Sequence, residues 1–446
     1  MVSILDFGAK PDGKTLATKA LQAAIDHCAA EGGGTVLVPA GKFVCGTIQM
    51  RSHVHIHLEG GATILASTDF EHDYLPREEV TYQKFQDMSH SYFDHSLFLG
   101  RDCEDIGFSG HGTIDMQGVW TDKEHGEYHR TVKVMAMREC RDIIIEGITV
   151  LRATDLGLYF AGCERVRIYG ISMRVLVDGI SPDGCRDFII ADSYIECGDD
   201  AIVLKASYTL NRLAACENLT ITGCVVMSLA SAIKLGTETN GDFRNITITG
   251  CVIKNTERAG IAIESVDGAH VEGINISNIT MRNVGCPIFL RLGKRMRAPA
   301  DMVPGTMKNI MISNVYADSP HETYSIIPYR KAWETEMWTE RTLTDEWTSQ
   351  ILGLAEQPIE NLTLRDVHIV SYGACDPENT VQPPLEEHET MYPEVTMYGF
   401  HKSLPAHGMV MRHVKGVYFD HCIFETRNPD ERPAIFTEFV ENFTEK

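Results

Sequence analysis

From Cys140 to Thr222, apolar residues recur at every second position in short runs, each closed by Gly, Asp or Asn. The segments Cys140-Arg-Asp-Ile-Ile-Ile-Glu-Gly, Cys163-Glu-Arg-Val-Arg-Ile-Tyr-Gly, Cys185-Arg-Asp-Phe-Ile-Ile-Ala-Asp and Cys216-Glu-Asn-Leu-Thr-Ile-Thr-Gly align beneath one another. Alternation with period two marks half-buried strands. A second short strand follows each turn, and less regular copies begin at Phe243, Val271, Met307, Ile359 and near Val414. The repeat of about 22 residues, with strands and no helices between them, predicts an all-β chain wound as a parallel β-helix. In such a solenoid, residues one period apart lie side by side on rungs ~4.8 Å apart.

The remaining segments fit around these coils as one domain, 1–446. Residues 12–31 read as a helix, with Asp12 or Thr15 as cap and Leu21, Ala24, Ile25 and Cys28 as its apolar stripe. It would cover the open end of the solenoid, whose bare strand edges would otherwise invite aggregation. Residues 68–95 form a polar loop containing aromatics. Two insertions interrupt the C-terminal third, at 318–358 and 373–408. Long insertions in a short-turned solenoid fold over one face and shape a cleft.

The net charge of −22 argues against nucleic acid as a partner, since phosphate binding needs clustered Lys and Arg. No run of 18 apolar residues is present, so no membrane-spanning helix is expected. The start, Met1-Val-Ser-Ile-Leu-Asp-Phe-Gly, lacks the pattern of a signal peptide, and a cytoplasmic location is expected unless a leader has been removed. Four of the 13 cysteines occupy one repeat position, as small apolar residues stacked inside a solenoid would. No CxxC spacing occurs, so no structural metal is expected, and no cofactor motif stands out.

Counting 15 residues from each repeat Cys places Asp155, Asp178, Asp200 and Ser231 in one column, with Asp199 beside it. An isolated Gly198-Asp-Asp is most simply a turn, where Asp bonds the local backbone. A third carboxylate in register one coil away changes that reading, because stacked acids are costly without a use. Carboxylates crowded together cannot all ionise easily, so such a set can offer both a proton donor and a base, the apparatus for cleaving a glycosidic bond.

Asp6-Phe-Gly-Ala-Lys-Pro-Asp-Gly13, Gly33-Gly-Thr-Val-Leu-Val-Pro39, Gly112-Thr-Ile-Asp115, Asp178-Gly-Ile180 and Gly198-Asp-Asp-Ala201 resemble the polygalacturonase-type glycoside hydrolases of family 28, right-handed parallel β-helix proteins. The resemblance runs over nearly the whole chain and implies an inverting hydrolase. It assigns Asp199 as the proton donor, with Asp178 and Asp200 activating water. Two family elements are replaced. Its Gly-His-Gly falls on Leu229–Ala232, with Ala230 or Ser231 at the histidine position, and its Arg-Ile-Lys, which grips a uronate carboxylate, falls on Ala262-Ile-Glu264. A carboxylate approaching Glu264 would be repelled, so polygalacturonate is expected to be a poor substrate.

Further substrate contacts are expected from Asp155, Lys205, Ser231, Lys234, Glu264, Arg291 and His407. Most have a plainer alternative: Lys205 and Lys234 as surface ammonium groups, Glu264 as a salt-bridge partner of Lys234, Arg291 and Arg295 as solvated arginines, His407 as an exposed loop residue. Trp120, Trp333, Trp338 and Trp347 include candidates for a sugar-stacking platform, with core anchoring as the alternative. The insertions suggest exo action on a short plant-type oligosaccharide. The competing classes are a lyase of the same fold and a non-catalytic carbohydrate-binding β-helix.

Overall fold

The computed structural model describes residues 1–118, 132–318, 347–399 and 402–446. The chain is a right-handed parallel β-helix. Three columns of strands stack into three parallel sheets, represented in one coil by Glu164–Tyr169, Ser172–Val175 and Ile180–Asp183. These pair in parallel with Arg186–Ala191, Tyr194–Cys197 and Ile202–Ala206 of the next coil. Inward positions such as Leu158, Ile180, Ile202, Ile233 and Ile261 feed one apolar core that runs from Ile4 to Phe419.

The aligned cysteines stack as expected. Glu104, Arg141, Glu164, Arg186 and Glu217 share a register, so Cys103, Cys140, Cys163, Cys185 and Cys216 form a buried ladder. None of the thirteen thiols is in a disulfide. Two residues past each ladder position the backbone turns left-handed, at Asp142 (φ 56°), Arg165 (53°), Asp187 (54°), Asn218 (59°) and Asn245 (55°). Asp and Asn tolerate this region because a short polar side chain can bond locally, and Gly273 takes the same place at φ 71°.

The N-terminal helix is shorter than its sequence pattern suggests, spanning Thr18–Ala30. Asp12 does not cap it. Its carboxylate accepts the N–H groups of Lys14 and Thr15 (2.9 and 2.8 Å), and Asp12–Leu16 pairs as a strand with Lys42–Val44. Ladder pairing and this local turn outweigh helix propensity there. The stripe Leu21, Ala24, Ile25 and Cys28 is buried as expected, and the helix packs against Gly34–Val38.

Most of the 318–358 insertion, with Trp333 and Trp338, lies outside the described residues, as does Trp120. Trp347 is buried with Leu352, Leu385, Val395 and Met397, so it anchors the second insertion and offers no sugar platform.

Candidate active site

One corner of the solenoid, between the second and third sheets, carries the acids. Asp178 follows strand Ser172–Val175 and precedes Ile180–Asp183; Asp199 and Asp200 hold the equivalent corner one coil later. Glycine lets these corners stack. A Cβ on Gly179 would lie 2.4 Å from the Ala201 carbonyl oxygen, and one on Gly198 equally close to that of Leu176. Gly179 N–H instead donates to the Asp200 carbonyl at 3.0 Å. Asp178, Asp199 and Asp200 each place a carboxylate oxygen within 4.8 Å of the others. Asp178 and Asp200 are buried, while Asp199 stays partly accessible.

Asp200 is the best-supported member. Its Oδ1 accepts the main-chain N–H of Ser231 at 2.9 Å, and its Oδ2 lies 3.2 Å from Lys234 Nζ. Lys234 also approaches Glu264 (3.8 Å) and Glu394 (3.6 Å). Burial works against its charge, but the three carboxylates outweigh it and hold the ammonium well above the ordinary lysine range. Arg258 Nη1 lies 3.0 Å from Glu394 Oε1. Burial opposes its charge too, and Glu394, Asp199 and Asp200 more than compensate. Asp178 meets His90, whose Nε2 stands 3.8 Å from Asp178 Oδ2. The His90 ring packs edge-on to Tyr159 at 5.4 Å, and its carbonyl accepts the Tyr159 hydroxyl at 3.1 Å.

The same three carboxylates are the group, among the described residues, whose spacing would suit a cation. Lys234 already delivers positive charge to that patch.

The profile of glycosyl hydrolases family 28 matches residues 28–339. The chain belongs to that family. Over 301 residues it is 31% identical to a probable polygalacturonase of Vitis vinifera, covering 63% of this chain and 61% of that relative. It is 21% identical over 433 residues to an exo-poly-alpha-D-galacturonosidase of Dickeya chrysanthemi, covering 82% of this chain and 71% of the relative. The crystal structure of the exopolygalacturonase from Thermotoga maritima shares its fold, with a TM-score of 0.70 at 19% identity over 95% of this chain and 92% of the other.

Within this family 28 fold, not every residue singled out from the sequence reaches the acid cluster. Asp155 stands one place out of register. The corner between Leu151 and Leu158 is one residue longer than that between Arg174 and Ile180, so Leu156 occupies the position matching Asp178. The Asp155 carboxylate is buried and accepts the Tyr92 hydroxyl at 2.5 Å. Ser231 contributes its main-chain N–H to Asp200. Lys205 is no surface ammonium: it is buried and donates to Glu238 Oε2 at 2.7 Å. Glu264 is sealed from solvent beside Lys234, and burial pushes its carboxyl well above the usual range. It therefore neither offers an open sugar contact nor carries the full repulsion expected of it.

Arg291 stands next to Glu264 on the following coil and donates to the carbonyls of Glu387 (2.7 Å) and His388 (3.0 Å), bracing the second insertion. Arg295 binds Asp267 and the Thr237 carbonyl. His407 does not join the site. It precedes strand Met409–Asp420, which pairs five coils beyond Ile202, about 24 Å away at ~4.8 Å per rung. Its own contacts are with Pro433 and Ser371.

The sequence reading gives no role to His90 or Glu394, and Arg258 is not among its site residues. His90 and Glu394 reach the cluster from outside the coils, where spacing carries no signal, and Arg258 sits at a register shift within the coil strand Val252–Ser265.

On the same outward face, Asp183 is fully buried beneath Ser207, whose N–H and hydroxyl donate to it at 2.7 and 2.6 Å. Burial is the larger effect and raises its carboxyl from 3.8 to about 6. The folded chain thus holds this proton more tightly than the unfolded chain. Protonation adds stability as pH falls from about 6 toward 3.8, and that increment is lost as pH rises through 6. Asp183→Asn should remove this component. Denaturation midpoints measured across that window should rise less steeply on acidification than in the parent, and an unchanged slope would contradict the assignment.

Proposed function

We propose that this chain is an inverting glycoside hydrolase acting from the end of short plant-type oligosaccharides. The observation that carries it is the convergence of Asp178, Asp199 and Asp200 at one corner, with Asp199 the most accessible. In this reading, Asp199 gives its proton to the leaving glycosidic oxygen as the bond from the anomeric carbon breaks. A water held by Asp178 and Asp200 attacks that carbon from the opposite face and passes its proton to their carboxylates. Lys234 and the Ser231 N–H orient Asp200 as an acceptor, and His90 abuts Asp178. The inverting course and the assignment of roles rest on the family resemblance. Exo action is supported by the likeness to the exo-poly-alpha-D-galacturonosidase of Dickeya chrysanthemi and by the second insertion, which stands over the site at Glu394.

One observation favours a lyase as the second reading: His90 brings an imidazole to Asp178, and a lyase needs a base to abstract a proton. A panel of aryl glycosides and plant oligosaccharides separates the two. Hydrolysis releases saturated reducing ends, whereas a lyase releases an unsaturated uronate that absorbs in the near ultraviolet. Reducing ends without that absorbance are expected, and they should disappear in Asp178→Asn. The converse product would replace the hydrolase reading.

A further inference from the structure

We infer that Glu394 is a built-in carboxylate that occupies the seat an acidic sugar would need and so directs the site toward neutral sugars. This rests on the glycosidase reading and narrows its substrate class. The seat lies between two cations. Glu394 Oε1 is 3.0 Å from Arg258 Nη1 and 3.6 Å from Lys234 Nζ. Lys234 in turn is 3.2 Å from Asp200 Oδ2, so the seat is one ammonium removed from the acid cluster. Two convergent cations beside a sugar-cleaving site are what would hold a uronate carboxylate. Here the chain's own carboxylate holds that position.

Glu394 is fixed there from both sides. Two residues earlier, the Tyr392 hydroxyl bonds Thr237 Oγ1 at 2.9 Å, and the Arg295 guanidinium lies 5.3 Å from the Tyr392 ring centroid. One residue later, Val395 is buried, and its carbonyl accepts Gln350 Nε2 at 3.2 Å. Glu394 therefore does not swing freely at a loop tip. Its neighbours also leave no spare positive charge for a second carboxylate. Lys234 already answers Asp200, Glu264 and Glu394, and Arg258 answers Glu394, Asp199 and Asp200. An incoming uronate would meet paired cations and a net excess of acid, whereas a neutral sugar would meet Glu394 only as a hydrogen-bond acceptor.

The test measures binding apart from turnover. Galacturonate and galactose are titrated calorimetrically into the parent protein, Glu394→Gln and Glu394→Ala. The thermal midpoint and far-ultraviolet circular dichroism of each variant confirm that it is folded. Vacating the seat should tighten galacturonate binding on the order of tenfold, the equivalent of one charge-assisted contact, with no matching gain for galactose. Adding Arg258→Leu to Glu394→Ala should cancel that gain. Folded Glu394 variants that bind galacturonate no better than the parent would overturn the inference, as would a parent that already prefers galacturonate. Reducing-end release from neutral oligosaccharides is assayed alongside. If it is absent while galacturonate binding rises, the hydrolase reading fails and the assignment of Glu394 stands.

Discussion

Asp199→Asn should remove most turnover on natural glycosides, a loss on the order of 10²-fold or more in kcat, because in the proposed mechanism Asp199 is the proton donor and its loss removes general acid catalysis. The fold should be little affected. Asp199 is the most accessible of the three acids, and the amide can still accept the N–H that its Oδ1 receives from Asp200. The loss should shrink on aryl glycosides with good leaving groups, since a stable leaving anion needs little protonation. That dependence on the leaving group separates loss of an acid from general damage to the site. An Asn variant with full activity on a natural oligosaccharide would contradict the role, as would an equal loss on every leaving group.

The second large effect concerns stability. Lys205 and Glu238 form a pair closed to solvent on the outward face of the third sheet, with Nζ 2.7 Å from Oε2. Lys205→Met keeps the apolar stem and removes the charge, which leaves Glu238 ionised in a dry setting. Breaking a buried pair from one side costs about 3–5 kcal/mol. Arg297 also reaches Glu238, at 3.3 Å, so the low end of that range is expected. The double variant Lys205→Met/Glu238→Gln should recover part of the loss, because no buried charge is then left unmatched. Chemical denaturation of the parent, both single variants and the double variant gives the coupling directly. A Lys205→Met protein as stable as the parent would mean that the pair is far better solvated than its burial indicates.

The coils were legible in the sequence because every rung obeys the same constraints. Strand alternation, a small residue at the ladder position and a turn-forming Asp, Asn or Gly recur where the geometry requires them, from Cys140 to Cys216 and beyond. That regularity placed Asp178 and Asp200 together correctly, since both corners have the same length. It failed for Asp155, because a count made from the cysteine ladder does not register an extra residue in a later corner. It failed for His407 because a long insertion returns to the solenoid several coils away from where it could act. His90 and Glu394 reach the site from irregular segments whose course depends on packing of Tyr159, Tyr392 and Val395, and no periodicity encodes it. The N-terminal helix began later than its pattern because Asp12 and Thr15 serve a strand and its turn. Glu264 kept its predicted neighbour, Lys234, but burial of both changed its electrostatic meaning.

The most direct measurement of the central claim is the anomeric configuration of the first product. A neutral oligosaccharide that the protein cleaves is followed by proton nuclear magnetic resonance from the earliest minutes, before mutarotation mixes the anomers. Three carboxylates acting as one acid and a water-holding pair predict that the inverted anomer appears first and then equilibrates. Retention in the first product would contradict that account, and release of an unsaturated sugar would assign the cluster to elimination.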